Sequence, residues 1–377
     1  MNRCLVLLSL LLTLSWPVFA QARRGIGPSE LSSAILDCRI DAGPWQDAFK
    51  DNPQAAGFRY YFVSHGLRAV VAEGRAGPPI QAYLGHVLSK ANKVTGLWDD
   101  VPDFNLPGTE LADADDSNAA LLLLLAADFY QTPAGKIWWQ ANAARLKLIA
   151  NQVLLRNGLP SGLVTGFSQM RVFPPNTPNL ENCLALQHSA YLMDCCEVYG
   201  GLHALAGVLK EMRDPDEASF TLAAAGVAKG IAALYQPKAG AFYILDTEQV
   251  AYPNYYPADM LKFYPHRLAQ VFPELFDVPL GNAATTKQRY DAAWAFATAT
   301  GDFNVGLPKD GSADGYPNMV RACMLAKRKL TTPANAQLQW YFAELKQGEP
   351  SPKFLMINEM GFALKTRAIL AGKTVRP

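Results

Sequence analysis

The hydrophobic positions along the chain recur mostly with a helical period, in segments separated by short polar breaks. This periodicity predicts helices near residues 28–50, 78–93, 116–130, 134–155, 185–210, 215–235, 257–271, 284–300, 315–329, 332–346 and 354–371. Segments rich in Gly, Pro and Asn, such as Asn157-Gly158-Leu159-Pro160, separate these helices. Alternating patterns typical of strands are few and short, for example over residues 241–245. The pattern therefore predicts an all-α protein.

The predicted helices are of two kinds, which alternate along the chain. Residues 119–130 are apolar around the whole circumference, and residues 185–207 are nearly so, whereas residues 134–155 are amphipathic. A helix that is apolar all round has to be enclosed, and an amphipathic helix can cover it. We therefore predict an (α/α)6 toroid, in which six helical hairpins form an inner and an outer ring of helices. An irregular all-α domain and a helical solenoid are the alternatives.

The N-terminus has the pattern of a secretory signal peptide. Over residues 1–22 it has a basic start at Arg3, an apolar run and small residues before Ala22. The apolar run is short and Pro17 breaks it, which argues against a membrane anchor. We expect residues 23–377 to form a single (α/α)6-barrel catalytic domain. The mature protein is predicted to be periplasmic or secreted, without a membrane span.

Charge and cysteine content argue against several classes of function. The chain has 34 Lys and Arg against 33 Asp and Glu, and loss of Arg3 with the leader balances the charge. A nucleic-acid surface would need clustered cations, so we expect no nucleic-acid partner. Five cysteines follow the leader, and an odd number leaves at least one thiol unpaired. Zinc-ligand spacings, phosphate-binding loops and dinucleotide fingerprints are missing from the sequence, so neither a metal nor a cofactor is expected.

Three aspartates, Asp113, Asp115 and Asp116, lie at the start of the apolar helix predicted over residues 116–130. Asp115, Asp116 or Ser117 is a natural helix cap, because a short oxygen side chain accepts the free amide hydrogens of the first turn. Asp113 is surplus to that role. Gathered carboxyl groups in a concave site suit glycoside hydrolysis, which needs one acid and one base. We therefore take Asp115 as a candidate catalytic residue, and Asp113 and Asp116 as candidates for substrate binding.

A second pair of acids lies inside the apolar helix of residues 185–210. Asp194 and Glu197 are three residues apart and share a helix face. Two buried carboxyl groups side by side repel one another, which raises one pKa as a general acid requires. Both are candidate catalytic residues. The alternative is a bracing role, in which they bond to loop amides or to an arginine such as Arg171.

Aromatic residues supply the remaining candidates. Tyr255 and Tyr256 lie in a segment unusually rich in tyrosine, and aromatic faces stack on sugar rings. Asp291 is a further candidate catalytic base, and its neighbour Tyr290 is a candidate for substrate binding, as is Trp98. The five histidines are scattered, and none is assigned a role.

These residues resemble the six-hairpin glycosidase superfamily over the whole mature chain, with local similarity to family-8 glycoside hydrolases. Asp113-Ala114-Asp115 resembles the Asp-Gly-Asp helix start of that family, and residues 254–257 resemble its Asn-Pro-Ser-Tyr-x-x-Pro segment. Tyr290-Asp291-Ala292 resembles the stretch that carries its proposed base. The family's acid motif, Glu-Gly-x-Ser-Tyr-Gly, is matched only in its first two residues, because Glu73-Gly74 is followed here by Arg75-Ala76-Gly77. The resemblance implies a secreted enzyme that cuts β-1,4-glucans or related polymers, with Glu73 at the position of its acid. Asp194 and Glu197, which the resemblance does not cover, are the alternative acids.

The leading hypothesis is thus an exported glycoside hydrolase that acts on a polysaccharide or oligosaccharide, with exopolysaccharide processing as one setting. A polysaccharide lyase on the same toroid is an alternative, with Tyr255, Tyr256, His188 and Asn254 as its candidate residues. Asp113-Ala114-Asp115-Asp116 also resembles the acid motif of terpene cyclases, which suggests a hydratase or isomerase of terpene alcohols. A non-catalytic sugar-binding protein is a further alternative. Such a protein would use the aromatic residues to bind sugars and would not need paired acids.

Overall fold

The computed structural model describes residues 26–75, 77–101, 114–173, 180–247, 255–301, 303, 305–307, 318–346 and 351–376. Its helices are α1 (Leu31–Leu36), α2 (Tyr60–Ala72), α3 (Pro78–Lys90), α4 (Asp115–Tyr130), α5 (Pro133–Ile149), α6 (Leu180–Leu186), α7 (Leu192–Met212), α8 (Glu217–Ala233), α9 (Phe272–Leu275), α10 (Ala283–Thr298), α11 (Met319–Lys327), α12 (Thr331–Leu345) and α13 (Ile357–Leu370). A π-helical turn over Ala150–Leu154 extends α5, and another spans Phe263–Arg267 before α9.

In the described part of the chain, a closed inner ring is formed by six helices: α2, α4, α7, α9, α11 and α13. Helix α4 packs between α2 and α7, and α13 packs between α2 and α11. Helix α7 also contacts α9. The ring closes where Lys327 of α11 donates to the carbonyl of Leu275 at 3.0 Å and the Arg321 guanidinium lies over the ring of Phe263.

The remaining helices cover this ring from outside. Helices α5, α8 and α12 pack against α4, α7 and α11, which precede them in the chain. Helix α3 contacts α4, and α10 contacts the turn over Phe263–Arg267. Helix α1, near the start of the described chain, packs against the last helix, α13. The two ends of the chain therefore make one inner–outer pair together.

Close approach of the inner helices depends on small residues. A Cβ atom on Gly201 of α7 would lie 2.8 Å from the backbone of Ala120 in α4. A Cβ atom on Gly66 of α2 would lie 2.6 Å from the side chain of Ile357 in α13. Apart from Asp128, every residue of α4 is buried. The apolar character of α4 on all sides thus follows from its position inside the ring, as the sequence predicted.

Short strands lie near the start of α7. β1 (Ser189–Tyr191), β4 (Leu245–Thr247) and β5 (Tyr255–Tyr256) form an antiparallel sheet in which β4 is central. β2 (Tyr235–Gln236) pairs with β3 (Ala241–Phe242). Because β1 leads directly into α7 and Leu245 pairs with Tyr256, the backbone of β5 lies at the same end of the toroid as the start of α7.

Three sequence predictions of helices are wrong in part. Residues 28–50 contain only the short α1, and the helix expected over 257–271 is replaced by turns and the π-helical segment, in a region interrupted by Pro257 and Pro265. Residues 185–191 form the end of α6, a turn and β1 rather than the first part of α7. Helix α2 was not predicted at all.

Two further findings concern the described residues as a group. None of their helices combines the length and the apolar character needed to cross a bilayer. Four of their cysteines are buried thiols that form no disulfide: Cys38, Cys195, Cys196 and Cys323.

Candidate active site

A cavity of about 360 Å³ opens where α4 and α7 begin. Four aromatic rings contribute to its lining, those of Tyr61, Phe62, Tyr191 and Tyr264. Its polar lining includes the side chains of Ser117 and Asp194. Asp194 lies in the first turn of α7, and Ser117 in the first turn of α4. An aromatic cavity with a carboxyl group in its wall suits a sugar, which has apolar C–H faces and polar hydroxyl groups.

Glu197 lies behind this lining, one turn after Asp194 on the same face of α7. Its side chain is fully buried. The Tyr61 hydroxyl donates to Oε1 at 2.9 Å, and Nε2 of His65 lies 3.4 Å from the same oxygen. Burial, and then the charge of Asp194, raise the pKa of Glu197 to about 8, although Tyr61 and Arg68 act in the opposite direction. Glu197 is therefore mostly protonated at neutral pH and can act as an acid.

Asp116 is a third carboxyl group of this cluster. It is fully buried, and one of its oxygens accepts from the backbone N–H of Ser117 at 2.8 Å. Among the described residues, Oδ2 has no hydrogen-bond partner. Burial first, and then the charge of Asp194, raise the pKa of Asp116 well above its ordinary value, and Glu197 adds to the effect. The cluster therefore favours protonation of its two buried members.

His65 lies beside Glu197 as a neutral ring. Burial, followed by the positive charges of Lys365 and Arg68, lowers its pKa well below the ordinary value. Its ring packs against those of Tyr61 and Phe362, with centroids 4.9 Å and 5.0 Å away. Because its pKa is lowered, the His65 ring is a weak base and carries no positive charge that would stabilise an ionised Glu197. His65 therefore does not promote the loss of the Glu197 proton.

Asp115 has a different environment from the cluster. It accepts from the backbone N–H of Ser168 at 3.0 Å and from Nε of Arg171 at 2.8 Å. Arg171 also donates to Asp99 at 2.6 Å and to the carbonyl of Trp98 at 3.1 Å. Burial raises the pKa of Asp115, and the bonds from Arg171 oppose that rise. These contacts fix the start of α4 against the loop that carries Ser168 and Arg171.

Two sequence expectations about these residues are wrong. The N-cap of α4 is Ala114, which has no capping side chain, so Asp115, Asp116 and Ser117 do not cap the helix. Arg171, offered as a brace for Asp194 or Glu197, instead pairs with Asp115 and Asp99. The positive charge of Arg171 compensates the buried carboxyl group of Asp115 at the start of α4.

Several other candidates lie away from the cavity lining. Asp291 is half-exposed on α10 and pairs with Lys287 at 2.5 Å and Arg328 at 3.2 Å, and these contacts lower its pKa. The Tyr290 hydroxyl donates to the carbonyl of Val278 at 2.6 Å. Trp98 is buried against Tyr60, with ring centroids 6.1 Å apart.

The last candidates are placed by the backbone or not at all. Tyr255 and Tyr256 form β5 near the start of α7. Asp113 lies outside the described residues. Glu73 follows the last residue of α2, at the opposite end of that helix from Tyr61, and accepts a hydrogen bond from Ser32.

The sequence pattern predicts Asp194 and Glu197 as site residues, but it does not predict Tyr61 or His65. Both lie on α2, whose helical character was not predicted, so their distance from α7 could not be inferred. In the described part of the chain, no group of three His, Cys, Asp or Glu side chains is arranged to hold a metal ion. The side chains that this cavity offers for chemistry are carboxyl, phenol and hydroxyl groups.

Comparisons with known proteins identify the fold. No protein-family model matches the sequence, and no curated protein matches it. Among solved structures, a glycosidase in complex with glucose has a TM-score of 0.58 at 12% identity, covering 95% of this chain and 98% of that chain. A β-1,3-1,4-glucanase from Paenibacillus sp. X4 has a TM-score of 0.59 at 12% identity, covering 93% and 92%. The chain has the helical-toroid fold of these glycosidases.

An uncharacterised conserved protein from Thermus thermophilus shares the same toroid, with a TM-score of 0.59 at 11% identity over 89% of this chain and 98% of that chain. These matches confirm the all-α toroid predicted from the alternation of buried and amphipathic helices. Identities this low establish the fold, and a fold can host several activities. The activity of this toroid therefore depends on its own cavity and carboxyl groups.

Proposed function

We propose that the protein is a glycoside hydrolase whose reacting carboxyl groups are Asp194 and Glu197. The observation that carries this proposal is the fully buried Glu197, which is bonded to a tyrosine that lines the cavity and lies directly beside a second carboxyl group that faces the cavity. This burial raises the pKa of Glu197. Two neighbouring carboxyl groups with different environments can act as acid and base at one pH. The glycosidase fold supports the same activity.

In the proposed reaction, Glu197 supplies the proton that the leaving oxygen needs when the glycosidic C–O bond breaks. The Tyr61 hydroxyl lies between Glu197 and the cavity, since it bonds to Glu197 and lines the cavity. In this step the hydrogen bond reverses: the Tyr61 hydroxyl turns from Glu197 to the leaving oxygen and gives up its proton, while the Glu197 carboxyl group donates its own proton to the Tyr61 oxygen. Asp194 accepts a proton from the water that attacks the anomeric carbon. One water molecule is consumed, and the proton that Asp194 gains restores Glu197 through solvent.

Aromatic residues of the cavity position the sugar in this proposal. Tyr61, Tyr191 and Tyr264 present rings to the cavity, and stacking on such rings orients a sugar face. Burial behind the lining raises the pKa of Asp116 and favours its neutral form, which limits the negative charge around Asp194. The substrate is proposed to be a polysaccharide or an oligosaccharide cut from one.

Export is part of the proposal and rests on the sequence of residues 1–22. An exported polysaccharide hydrolase would meet its substrate outside the cytoplasm, for example during exopolysaccharide processing. Cell fractionation and N-terminal sequencing of the purified protein test this directly. A protein that stays in the cytoplasm with its leader attached contradicts the export proposal.

Activity is tested by incubating the protein with a panel of bacterial and plant polysaccharides and measuring new reducing ends. The wild-type protein is expected to release them from at least one polymer, and Asp194→Asn is expected to lose at least about 100-fold in rate. The matched control is Asp259→Asn, a substitution at a partly exposed aspartate that should retain activity. Products that absorb in the ultraviolet would indicate a lyase, and equal rates for Asp194→Asn and wild type would remove Asp194 from the reaction.

A further inference from the structure

A second cavity of about 330 Å³ lies on the later part of α7. Its lining includes Tyr199, His203 and Glu211 of α7, together with Gln131 at the end of α4 and Asp277 after α9. Helices α4 and α7 both begin at the first cavity, so this second cavity lies toward the opposite end of the toroid. At about 1.5 Å per helical residue, Glu211 is roughly 25 Å from Asp194 along the axis of α7.

The polar side chains of the second cavity have unused hydrogen-bonding capacity. Gln131, His203 and Glu211 are exposed, and none of the three forms a side-chain hydrogen bond or ion pair with another described residue. Together they offer an amide, an imidazole and a carboxylate, which include both donors and acceptors. Asp277 adds a second carboxylate, and it pairs with Lys327 at 2.8 Å.

A flat pair of rings lies within the same cavity. The rings of Tyr199 and His203 are nearly parallel, with an interplanar angle of 10° and centroids 5.6 Å apart. Tyr199 is only 8% exposed, so the exposed His203 forms the outer part of the pair. Beside them, Gly207 has open space where a Cβ atom would lie. The cavity thus combines a flat surface with room next to it.

We propose that this second cavity is a non-catalytic carbohydrate-binding site, which holds a distant part of a saccharide chain. A sugar presents an apolar face to flat rings and hydroxyl groups to amides, imidazoles and carboxylates. Asp277 is neutralised by Lys327, and Glu211 is balanced by the guanidinium of Arg376, so the lining has no excess charge and favours a neutral ligand over an ionic one. A purely apolar ligand would leave the polar groups without partners. The proposal concerns binding only and is separate from the reaction proposed for Asp194 and Glu197.

Calorimetric titration tests the proposal with three neutral probes: cellotetraose, laminaritetraose and xylotetraose. The protein is the full chain carrying Asp194→Asn, so that a probe is not consumed. At least one probe is expected to bind at two sites per chain. Adding His203→Ala and Glu211→Gln should weaken the second site about tenfold or more and leave the first site unchanged. Both added substitutions are at exposed residues, so folding is not at risk.

The control variant is Lys210→Ala, which changes an exposed residue of α7 that does not line the cavity. It should retain both sites in the Asp194→Asn background. One binding site in the parent, or two sites that survive His203→Ala with Glu211→Gln, overturns the second-site proposal. Hydrolysis by the wild-type protein is judged separately: hydrolysis with a single binding site refutes this inference alone, and two sites without hydrolysis refute the proposed function alone.

Discussion

Replacement of Glu197 by Gln tests whether this buried carboxyl group holds a proton. The pKa of Glu197 is about 8 in the folded protein, against an ordinary value of 4.5. Between these values the carboxyl group ionises only in the unfolded chain, which favours unfolding. Stability contributed by Glu197 is therefore fully present below about pH 4.5, is lost as the pH rises, and levels off above pH 8.

The size of this effect follows from the displacement of the pKa. Each tenfold change in proton affinity is worth about 1.4 kcal/mol, so the rise from 4.5 to about 8 corresponds to at most about 5 kcal/mol. Gln cannot ionise, and Glu197→Gln lacks this loss. The stability of the variant relative to wild type should therefore rise by up to that amount between pH 4.5 and pH 8.

Urea unfolding of the two proteins across this pH range measures the difference. Glu217→Gln, at a partly exposed residue of α8, is the matched control and should follow wild type at every pH. A constant difference between Glu197→Gln and wild type from about pH 5 to pH 8 would mean that Glu197 ionises at its ordinary pH, and the argument for a proton held beside the cavity would fail.

Three further substitutions separate the candidate residues. Tyr61→Phe should lower kcat about 10- to 100-fold and move the alkaline limb of the pH–rate profile to higher pH, because the Tyr61 bond holds the pKa of Glu197 down; an unchanged profile would exclude Tyr61 from the proton path. Asp291→Asn should leave turnover unchanged and alter the free energy of unfolding by less than about 1 kcal/mol, since Asp291 forms surface ion pairs; a large loss of activity would place it in the reaction. Asp115→Asn should cost about 3 kcal/mol in urea unfolding, because it leaves the buried Arg171 guanidinium short of negative charge; a cost below about 1 kcal/mol would show that this pair does not fix the start of α4.

Much of the inner ring could be predicted from hydrophobicity alone. Helix α4 is apolar on every side, and only a position inside other helices explains that pattern. Helix α2 is a different case, because its hydrophobic positions recur with a helical period while its valines, aromatic residues and Gly66 have modest helix propensity. Packing against α4 and α13 holds α2 in helical form, and those contacts involve residues distant in the sequence.

The candidate site was predictable only where one helix carries it. Asp194 and Glu197 are three residues apart in an apolar helix, so their proximity and burial follow from helical geometry. The bond from Tyr61 to Glu197 joins residues 136 positions apart, and the bonds from Arg171 to Asp115 join residues 56 positions apart. Such contacts depend on the closure of the ring, which local sequence patterns do not specify.

The most direct test of the account compares two substrates with Glu197→Gln. One is an oligosaccharide that the wild-type protein cleaves, and the other is a dinitrophenyl glycoside of the same sugar, whose leaving group needs no proton. Loss of the acid should lower the rate on the oligosaccharide about 1,000-fold or more and leave the aryl glycoside much less affected. An equal loss on both substrates, or no loss on either, would contradict the role of Glu197 as the proton donor.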